Sequence, residues 1–274
     1  MDTHTITING QQVAYADSAG DGPAALLIHG NSSSGRSFRR QLESELGARH
    51  RLVALDLPGF GRSQPVADPA ALGLRGWAET VRGFVAALEL DPVVLVGWSL
   101  GGHVALEAVG NLPAARGVLI FGTPPLAFPP AMEQAFLPHP AMAASFAAEL
   151  SEDEMAGYVA SFFAPGGGAE RDGFMEDIRA SDGRARAAVA ASIQPDGYKD
   201  EVAVVAGLAL PLAVLHGAEE QLVNGAYFDE LAMPSLWRGA VQLIPGAGHA
   251  PHWEQPAAFN ELLGAFMADC LGAR

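Results

Sequence analysis

The sequence predicts an α/β fold in which helices cover a mostly parallel central sheet and a helical segment is inserted as a cap. Short apolar runs alternate with stretches of helical periodicity, a pattern typical of parallel strands joined by crossover helices. The alternation stops between Phe121 and Ala213, where proline-rich turns and helical patterns follow one another. With 274 residues, 49% of them apolar and 17% charged, the chain can bury a large core.

The opening strands are predicted to form an antiparallel hairpin, because residues 5–8 and 13–16 flank Asn9-Gly10, a favoured two-residue turn. Short apolar runs of the kind found in strands buried on both faces predict the later strands. These runs are residues 25–28, 52–55, 93–96, 118–121, 213–215 and 241–244. Helical apolar spacing predicts core helices near residues 37–46, 77–88, 102–111 and 256–271.

The interruption of the alternation predicts a cap at residues 123–206, between core segments 1–122 and 207–274. Pro124-Pro125 and Pro129-Pro130 mark turns, and residues 141–150 and 152–163 have helical patterns. The insertion leaves from one strand end and returns to the next, and ligands of open α/β sheets bind at the carboxyl ends of strands. We therefore expect the cap to cover a ligand pocket.

A serine stands at the junction of a predicted strand and a predicted helix, in Gly97-Trp98-Ser99-Leu100-Gly101. This sequence fits the G-x-S-x-G nucleophile elbow, whose small residues let the chain turn sharply and expose the serine hydroxyl. The alternative is a serine that only caps the following helix. The position between a buried strand and a helix favours Ser99 as a nucleophile.

A serine hydroxyl needs a base to take its proton, and the base needs an acid that orients it. We predict His249 as the base, because it follows the last predicted strand; His216 and His252 are weaker candidates. Glu219 and Glu220 both follow the strand at residues 213–215 and could supply the acid. Glu220 is favoured, because hydrolases with a serine nucleophile elbow often carry their acid three residues after the glycine of this loop.

A serine nucleophile also needs fixed donors for the oxyanion that develops on the substrate. The backbone N–H of Leu100, directly after the serine, is the first predicted donor. The second is the N–H of Asn31, in the loop that follows an early strand, and its side chain is expected to face the pocket. We expect His29 to brace this loop and His103 to pack inside the protein.

Charge and residue spacing exclude several other classes of function. The formal net charge of −15 opposes binding to nucleic acid or to anionic membranes. The longest apolar region, residues 202–215, is broken by Pro211 and is shorter than the roughly 20 residues that span a bilayer. The histidines lack metal-binding spacings, so no metal and no cofactor are expected. The single Cys270 and the absence of an export signal indicate the cytoplasm.

Several segments together resemble the metal-independent N-acyl-homoserine lactonases, bacterial quorum-quenching enzymes of the α/β-hydrolase fold. The segments are residues 29–35, 97–103, 122–125, 182–186 and 247–251. The resemblance implies a glutamate as the acid, in agreement with Glu220. It also implies that Asn31 and the cap residue Tyr158 help to hold the substrate, and we expect the neighbouring Gly30 and Trp98 to contact it as well.

The expected function is therefore the opening of a lactone ring by a Ser99–His249–Glu220 triad, acting on a small, neutral, amphiphilic substrate. A general carboxylesterase or a carbon–carbon bond hydrolase is the closer alternative, since a triad and a cap do not specify the acyl group. A non-catalytic ligand receptor of the same fold is a more distant one. We expect the protein to be a monomer or a weak homo-oligomer.

Overall fold

The computed structural model describes residues 3–63, 65–167 and 169–272, which contain one eight-stranded sheet. The strands are β1 (Thr3–Ile8), β2 (Gln11–Asp17), β3 (Ala24–Ile28), β4 (Arg51–Leu55), β5 (Val93–Trp98), β6 (Ala115–Phe121), β7 (Leu212–Gly217) and β8 (Gln242–Ile244). Their order is β1-β2-β4-β3-β5-β6-β7-β8; β2 runs antiparallel to its neighbours β1 and β4, and all other neighbouring strands are parallel. All the predicted strands are present, and the predicted mostly parallel sheet is confirmed.

Helices cover both faces of the sheet, and further helices lie in the chain between β6 and β7. They are α1 (Arg39–Leu42), α2 (Glu45–Arg49), α3 (Gly73–Ala87), α4 (Leu100–Val109), α5 (Met132–Ala135), α6 (Glu152–Ser161), α7 (Asp172–Ala180), α8 (Gly183–Ser192), α9 (Glu201–Gly207), α10 (Pro251–Glu254) and α11 (Pro256–Leu271). Short 3-10 helices lie at Gly35–Phe38, Pro69–Ala71, Pro140–Ser145, Gly225–Glu230 and Trp237–Gly239.

Alternate residues of the central strands bury themselves in two separate apolar clusters. Leu26 of β3 packs in the cluster that contains Trp77 of α3. Its neighbour Leu27 packs in the other cluster, together with Phe259 of α11. All four side chains are fully buried, so the sheet is enclosed on both faces, as the continuous apolar runs of its strands predict.

The single helix predicted at residues 37–46 is wrong. The chain instead forms a 3-10 turn, the short helix α1 and then α2. The break falls at Ser44, whose hydroxyl accepts hydrogen bonds from the backbone N–H groups of Leu46 and Gly47 and so begins a new helix. The same hydroxyl donates to the Gln41 carbonyl oxygen at 2.6 Å, which fixes the bend between α1 and α2.

The helix predicted at residues 141–150 is also wrong, because only the 3-10 turn Pro140–Ser145 forms there. Side chains from elsewhere in the chain bind the carbonyl oxygens of this segment. Asn31 Nδ2 donates to the Ser145 carbonyl at 2.6 Å. The Arg186 guanidinium donates to the carbonyls of Ala147 and Ala148 at 2.8 and 2.7 Å. Tertiary hydrogen bonds therefore override the local helical pattern.

The chain between β6 and β7 is helical, as the fold prediction requires, and contains α5 to α9. Of its predicted helices, only the one at residues 152–163 is present, as α6, whose N-terminus carries a capping box between Ser151 and Glu154. No helix within the described residues combines the length and the apolar character needed to cross a lipid bilayer.

Candidate active site

Ser99 occupies the sharp turn between β5 and α4, with a φ of 52° and a ψ of −118°. Residues other than glycine rarely adopt these backbone angles, and backbone strain of this kind is concentrated at functional sites. The turn needs Gly97 and Gly101, because a Cβ on Gly97 would collide with the Gly101 carbonyl oxygen and one on Gly101 with that of Ile28. The Ser99 side chain makes no capping hydrogen bond to α4, so it is not an ordinary helix cap.

His249 and Glu220 form a buried pair in the loops that follow β8 and β7. The Nδ1 atom of His249 lies 2.8 Å from Glu220 Oε2, and the two side chains are only 3% and 2% exposed. Glu220 Oε1 accepts hydrogen bonds from the backbone N–H groups of Gln221 and Leu222 at 2.9 and 2.8 Å. Burial opposes ionisation of Glu220, but the nearby His249 and these hydrogen bonds outweigh it and lower the Glu220 pKa.

The carboxylate of Glu219 does not face the imidazole of His249. Its Oε2 accepts a hydrogen bond from the backbone N–H of Ala247 at 2.9 Å and so ties together the loops after β7 and β8. Glu220, which the sequence favoured over Glu219, is the glutamate whose carboxylate lies against the imidazole.

The two weaker candidate bases pack against aromatic rings. His216 packs against the Phe228 ring at 5.7 Å between ring centres, and burial lowers its pKa. His252 is fully buried against the rings of Phe38, Trp98 and Phe121. Burial, together with the neighbouring charges, lowers the His252 pKa well below its ordinary value. Neither imidazole is among the described residues that line the cavity containing Ser99.

Ser99 and His249 line one cavity, together with Asn31 and Leu100. Within the described part of the chain, the backbone N–H groups of Asn31 and Leu100 have no hydrogen-bond partner. Leu100 is the first residue of α4, and the unpaired N–H groups at a helix N-terminus attract negative charge. These two groups are therefore available to an oxygen that develops charge above Ser99.

The loop that carries Asn31 is held from several sides. His29 Nε2 accepts from the Leu57 N–H at 3.0 Å, which leaves the proton on Nδ1 to be donated to the Gly30 carbonyl at 2.7 Å. Asp56 accepts from the Gly35 N–H at 2.7 Å and so anchors the far end of the loop. His29 thus braces the loop, as expected, and Asp56 adds a second anchor.

Gly30 and Trp98, which were expected to contact the substrate, are not among the described residues that line the cavity. The Trp98 indole is 1% exposed, and its Nε1 donates to the His249 carbonyl at 2.8 Å. A Cβ on Gly30 would lie 3.0 Å from the Trp98 ring, so this glycine allows the loop to pack on the indole. The placement corrects the expectation: these two residues support Asn31 and His249 from behind.

Tyr158 of α6 reaches the cavity from the cap, as expected. Its ring packs edge-on against Phe162 at 4.7 Å between centres. Its hydroxyl has no hydrogen-bond partner among the described residues, and burial raises its pKa, so it stays protonated at neutral pH. The surrounding wall is mainly apolar and includes Leu74, Leu126, Met132, Phe136, Val189, Ile193 and Leu222.

His103 does not simply pack inside the protein. It lines the same cavity, and its Nδ1 lies 2.9 and 2.8 Å from the two carboxylate oxygens of Glu201. Glu201 is 1% exposed, and its Oε2 also accepts from the Leu126 N–H at 2.8 Å. Sequence reasoning missed Glu201, and the one available signal was the position of His103 one helical turn after Ser99.

The chain belongs to the alpha/beta hydrolase family, whose model matches residues 25–262. Three structures of the N-acyl homoserine lactonase AidH superpose on it with a TM-score of 0.94 and are 33% to 34% identical in sequence. They cover 100% of this chain and 98% to 100% of their own. Their bound molecules are N-hexanoyl homoserine, N-hexanoyl homoserine lactone and N-butanoyl homoserine.

Curated relatives carry another activity in their names. The pimeloyl-[acyl-carrier protein] methyl ester esterase of Xanthomonas axonopodis pv. citri is 30% identical, over 93% of this chain and 98% of its own length. The match to the magnesium-chelatase 30 kDa subunit of Rhodobacter capsulatus is 39% identical but spans only 36% of this chain and 34% of that protein. The corresponding esterase of Xylella fastidiosa is matched at 38% identity over 40% of each chain.

Proposed function

We propose that the protein is a serine hydrolase that opens the lactone ring of N-acyl-homoserine lactones and thereby acts in quorum quenching. The observation that carries the proposal is the joint placement of Ser99 and the Glu220-bound His249 in one apolar, cap-covered cavity. The full-length similarity to AidH supports lactones as the substrate class. In this proposal residues 123–206 act as the cap over a core made of residues 1–122 and 207–274.

Glu220 orients the base. Its carboxylate holds the Nδ1 side of the His249 ring, which leaves Nε2 free to act on the serine. The lowered pKa keeps Glu220 ionised at neutral pH, so its charge stabilises the imidazolium that forms when His249 takes a proton. Near-complete burial of both side chains strengthens this interaction, because little water screens it.

Ring opening begins when Ser99 Oγ attacks the lactone carbonyl carbon and its proton passes to His249 Nε2. The carbonyl oxygen becomes an oxyanion, which accepts hydrogen bonds from the N–H groups of Asn31 and Leu100. When the intermediate collapses, the bond between the carbonyl carbon and the ring oxygen breaks and His249 protonates that oxygen. The hydroxyl group formed in this step stays attached to the acyl-enzyme, because the ring oxygen and the carbonyl carbon bound to Ser99 belonged to one ring.

Water completes the reaction. His249 removes a proton from a water molecule, whose oxygen attacks the ester carbon, and Ser99 leaves with the proton returned from His249. The product is an N-acyl-homoserine, which carries one water more than the lactone.

Asn31 and Tyr158 hold the polar part of the substrate in this proposal. The Asn31 amide is anchored at its nitrogen by the Ser145 carbonyl, so it joins the core loop to the cap beside Ser99. The Tyr158 hydroxyl, which has no hydrogen-bond partner among the described residues, offers a donor from α6 to the same cavity. A few convergent polar groups in an apolar wall suit a neutral, amphiphilic ligand.

A carboxylesterase is the second candidate function, and the full-length similarity to methyl ester esterases favours it. Both functions use the same triad, so only the substrate separates them. Purified protein should be given N-acyl-homoserine lactones with short and long acyl chains. In parallel, it should be given methyl esters of the carboxylic acids that correspond to these acyl chains. Mass spectrometry of the products would reveal the addition of one water to a lactone. The proposal predicts a higher kcat/KM for lactones, and a consistent preference for the esters would contradict it.

A further inference from the structure

The cavity contains a second histidine–glutamate pair that the proposed reaction does not use. His103 of α4 and Glu201 of α9 both line the cavity wall, and Glu201 is nearly inaccessible to solvent. Most of the neighbouring wall is apolar, including Leu126 and Met132. A buried carboxylate and an imidazole are costly to place in such a wall unless they are paired, and here they are. The pair gives one part of the acyl-binding wall a polar character.

The pairing also determines what His103 offers to a ligand. Its Nδ1 carries the proton and donates to Glu201, because a carboxylate can only accept. In the neutral ring, Nε2 is then left as a hydrogen-bond acceptor. This nitrogen has no hydrogen-bond partner among the described residues. A hydrogen-bond donor, such as a hydroxyl, is the ligand group that this acceptor binds.

The position of His103 indicates which part of the substrate it would meet. The backbone N–H of His103 donates to the Ser99 carbonyl at 3.4 Å, so the two residues lie one helical turn apart. Ser99 lies just outside α4, but both side chains line the same cavity. The 3-position of the acyl chain of an N-acyl lactone is separated from the lactone carbonyl by several bonds, so a substrate whose lactone carbonyl lies at Ser99 can extend this position along the wall that contains His103.

We propose that His103, held by Glu201, is a specificity-determining residue that recognises a hydroxyl group at the 3-position of the substrate's acyl chain. The inference rests on the proposed function for the identity of the bond that is cleaved. His103 Nε2 accepts the hydrogen bond from the hydroxyl, and Glu201 fixes the ring in the tautomer that can do so.

The test compares 3-hydroxyacyl and unsubstituted homoserine lactones of equal chain length. Because a neutral hydrogen bond contributes roughly 0.5 to 1.5 kcal/mol, we expect the wild type to favour the hydroxylated lactone in kcat/KM by about 2- to 10-fold. His103→Asn keeps an amide nitrogen near the Nδ1 position for Glu201 and removes Nε2, so this ratio should fall to one or below. His103→Gln places an amide oxygen near the Nε2 position and should restore part of the preference.

Glu107→Gln is the matched control. Glu107 lies on the same helix, and its carboxylate accepts from the Lys199 N–H at 2.8 Å, yet it does not line the cavity. The change perturbs packing between α4 and the segment before α9, so it should lower the melting temperature without altering the substrate ratio. A His103→Asn variant that lowers both kcat/KM values equally would show a purely structural role and overturn the proposal.

Two further results would also overturn the proposal: a wild-type ratio of one, or a preference for a 3-oxo chain over a 3-hydroxy chain. Plain esters with a hydroxyl at the same number of bonds from the scissile carbonyl separate this inference from the proposed function. If the wild type cleaves only esters, the lactonase proposal fails, while the dependence of the hydroxyl preference on His103 remains measurable.

Discussion

Two histidine–glutamate pairs with nearly the same local geometry and different surroundings each place an imidazole in the cavity wall. In each pair a buried carboxylate lies 2.8 Å from an imidazole Nδ1 and also accepts a hydrogen bond from backbone N–H. The His249–Glu220 pair joins two loops at the carboxyl ends of neighbouring strands. The His103–Glu201 pair joins two helices, one of which begins at the serine.

A buried histidine–glutamate pair does not by itself define a catalytic base. Both glutamates fix a ring tautomer, and both leave Nε2 free. What differs is the atom that each Nε2 can reach: in our proposal, the Ser99 hydroxyl for His249 and a substrate hydroxyl for His103. One pair would then move protons, while the other selects the acyl chain.

Removal of the serine is expected to have the largest effect. Ser99→Ala should lower kcat for lactone hydrolysis by about a millionfold, because nucleophile and base act as a unit in serine triads. Steady-state kinetics on a highly purified variant, with circular dichroism as a check of folding, measures the loss. Lactone turnover near the wild-type rate would contradict a serine mechanism and leave the two pairs without distinct roles.

Matched substitutions in the two pairs give the sharpest contrast. Glu220→Gln should lower kcat by about 10,000-fold, because the ring loses the charge that supports its catalytic tautomer and its imidazolium. Glu201→Gln should lower kcat/KM by about tenfold or less, since it disturbs only a substrate contact. If the two variants lost activity to the same extent, the proposed division of roles would be wrong.

The cap tyrosine should have an intermediate effect. Tyr158→Phe removes a hydroxyl without a hydrogen-bond partner in the described part of the chain, so folding should be unaffected, while KM rises by about 2- to 10-fold through loss of one hydrogen bond to the substrate. A fall in kcat with an unchanged KM would instead assign Tyr158 to the reaction step.

Glu219→Gln serves as the neighbouring control for Glu220. Its carboxylate accepts from the Ala247 backbone N–H and does not touch His249, and a neutral amide can accept the same bond. We expect kcat within about twofold of the wild type, because an exposed charge contributes little here. A loss larger than that of Glu220→Gln would reverse the assignment of the acid.

Stability should report the charge on Glu220 through its pH dependence. A carboxylate whose pKa is lowered by folding stabilises the protein fully above its unfolded pKa, near 4.5, and loses this contribution as the pH falls through its folded value. The difference in unfolding free energy between wild type and Glu220→Gln should therefore shrink below about pH 4.5. Urea unfolding over a pH series measures it, and a difference that grows at low pH would show the opposite sign of shift.

The strands and the elbow could be predicted from sequence because their signals are local. Strands buried on both faces are continuous apolar runs, and Gly97 and Gly101 mark the turn that presents Ser99. The position of His249 followed from the order of strands alone. The position of the acid in its loop favoured Glu220 over Glu219, and the structure adds the contact with the imidazole, which the sequence alone does not show.

The sequence-based prediction failed where distant residues decide the local structure. The carbonyl oxygens of Ser145, Ala147 and Ala148 accept hydrogen bonds from Asn31 and Arg186, so a segment with a helical pattern is irregular. Asp182 and Asp200 cap α8 and α9, and these signals were present in the sequence but were not used. Glu201 could not have been placed against His103, because nearly a hundred residues of chain separate them.

In our proposal lactone hydrolysis proceeds through Ser99. A fluorophosphonate that modifies activated serines tests this step most directly. The protein should be treated with increasing amounts of the reagent, and each sample assayed for lactone turnover and for modification of the Ser99 peptide by mass spectrometry. We predict that activity falls in proportion to the fraction of Ser99 modified. Full lactone turnover by protein whose Ser99 is completely modified would contradict the account.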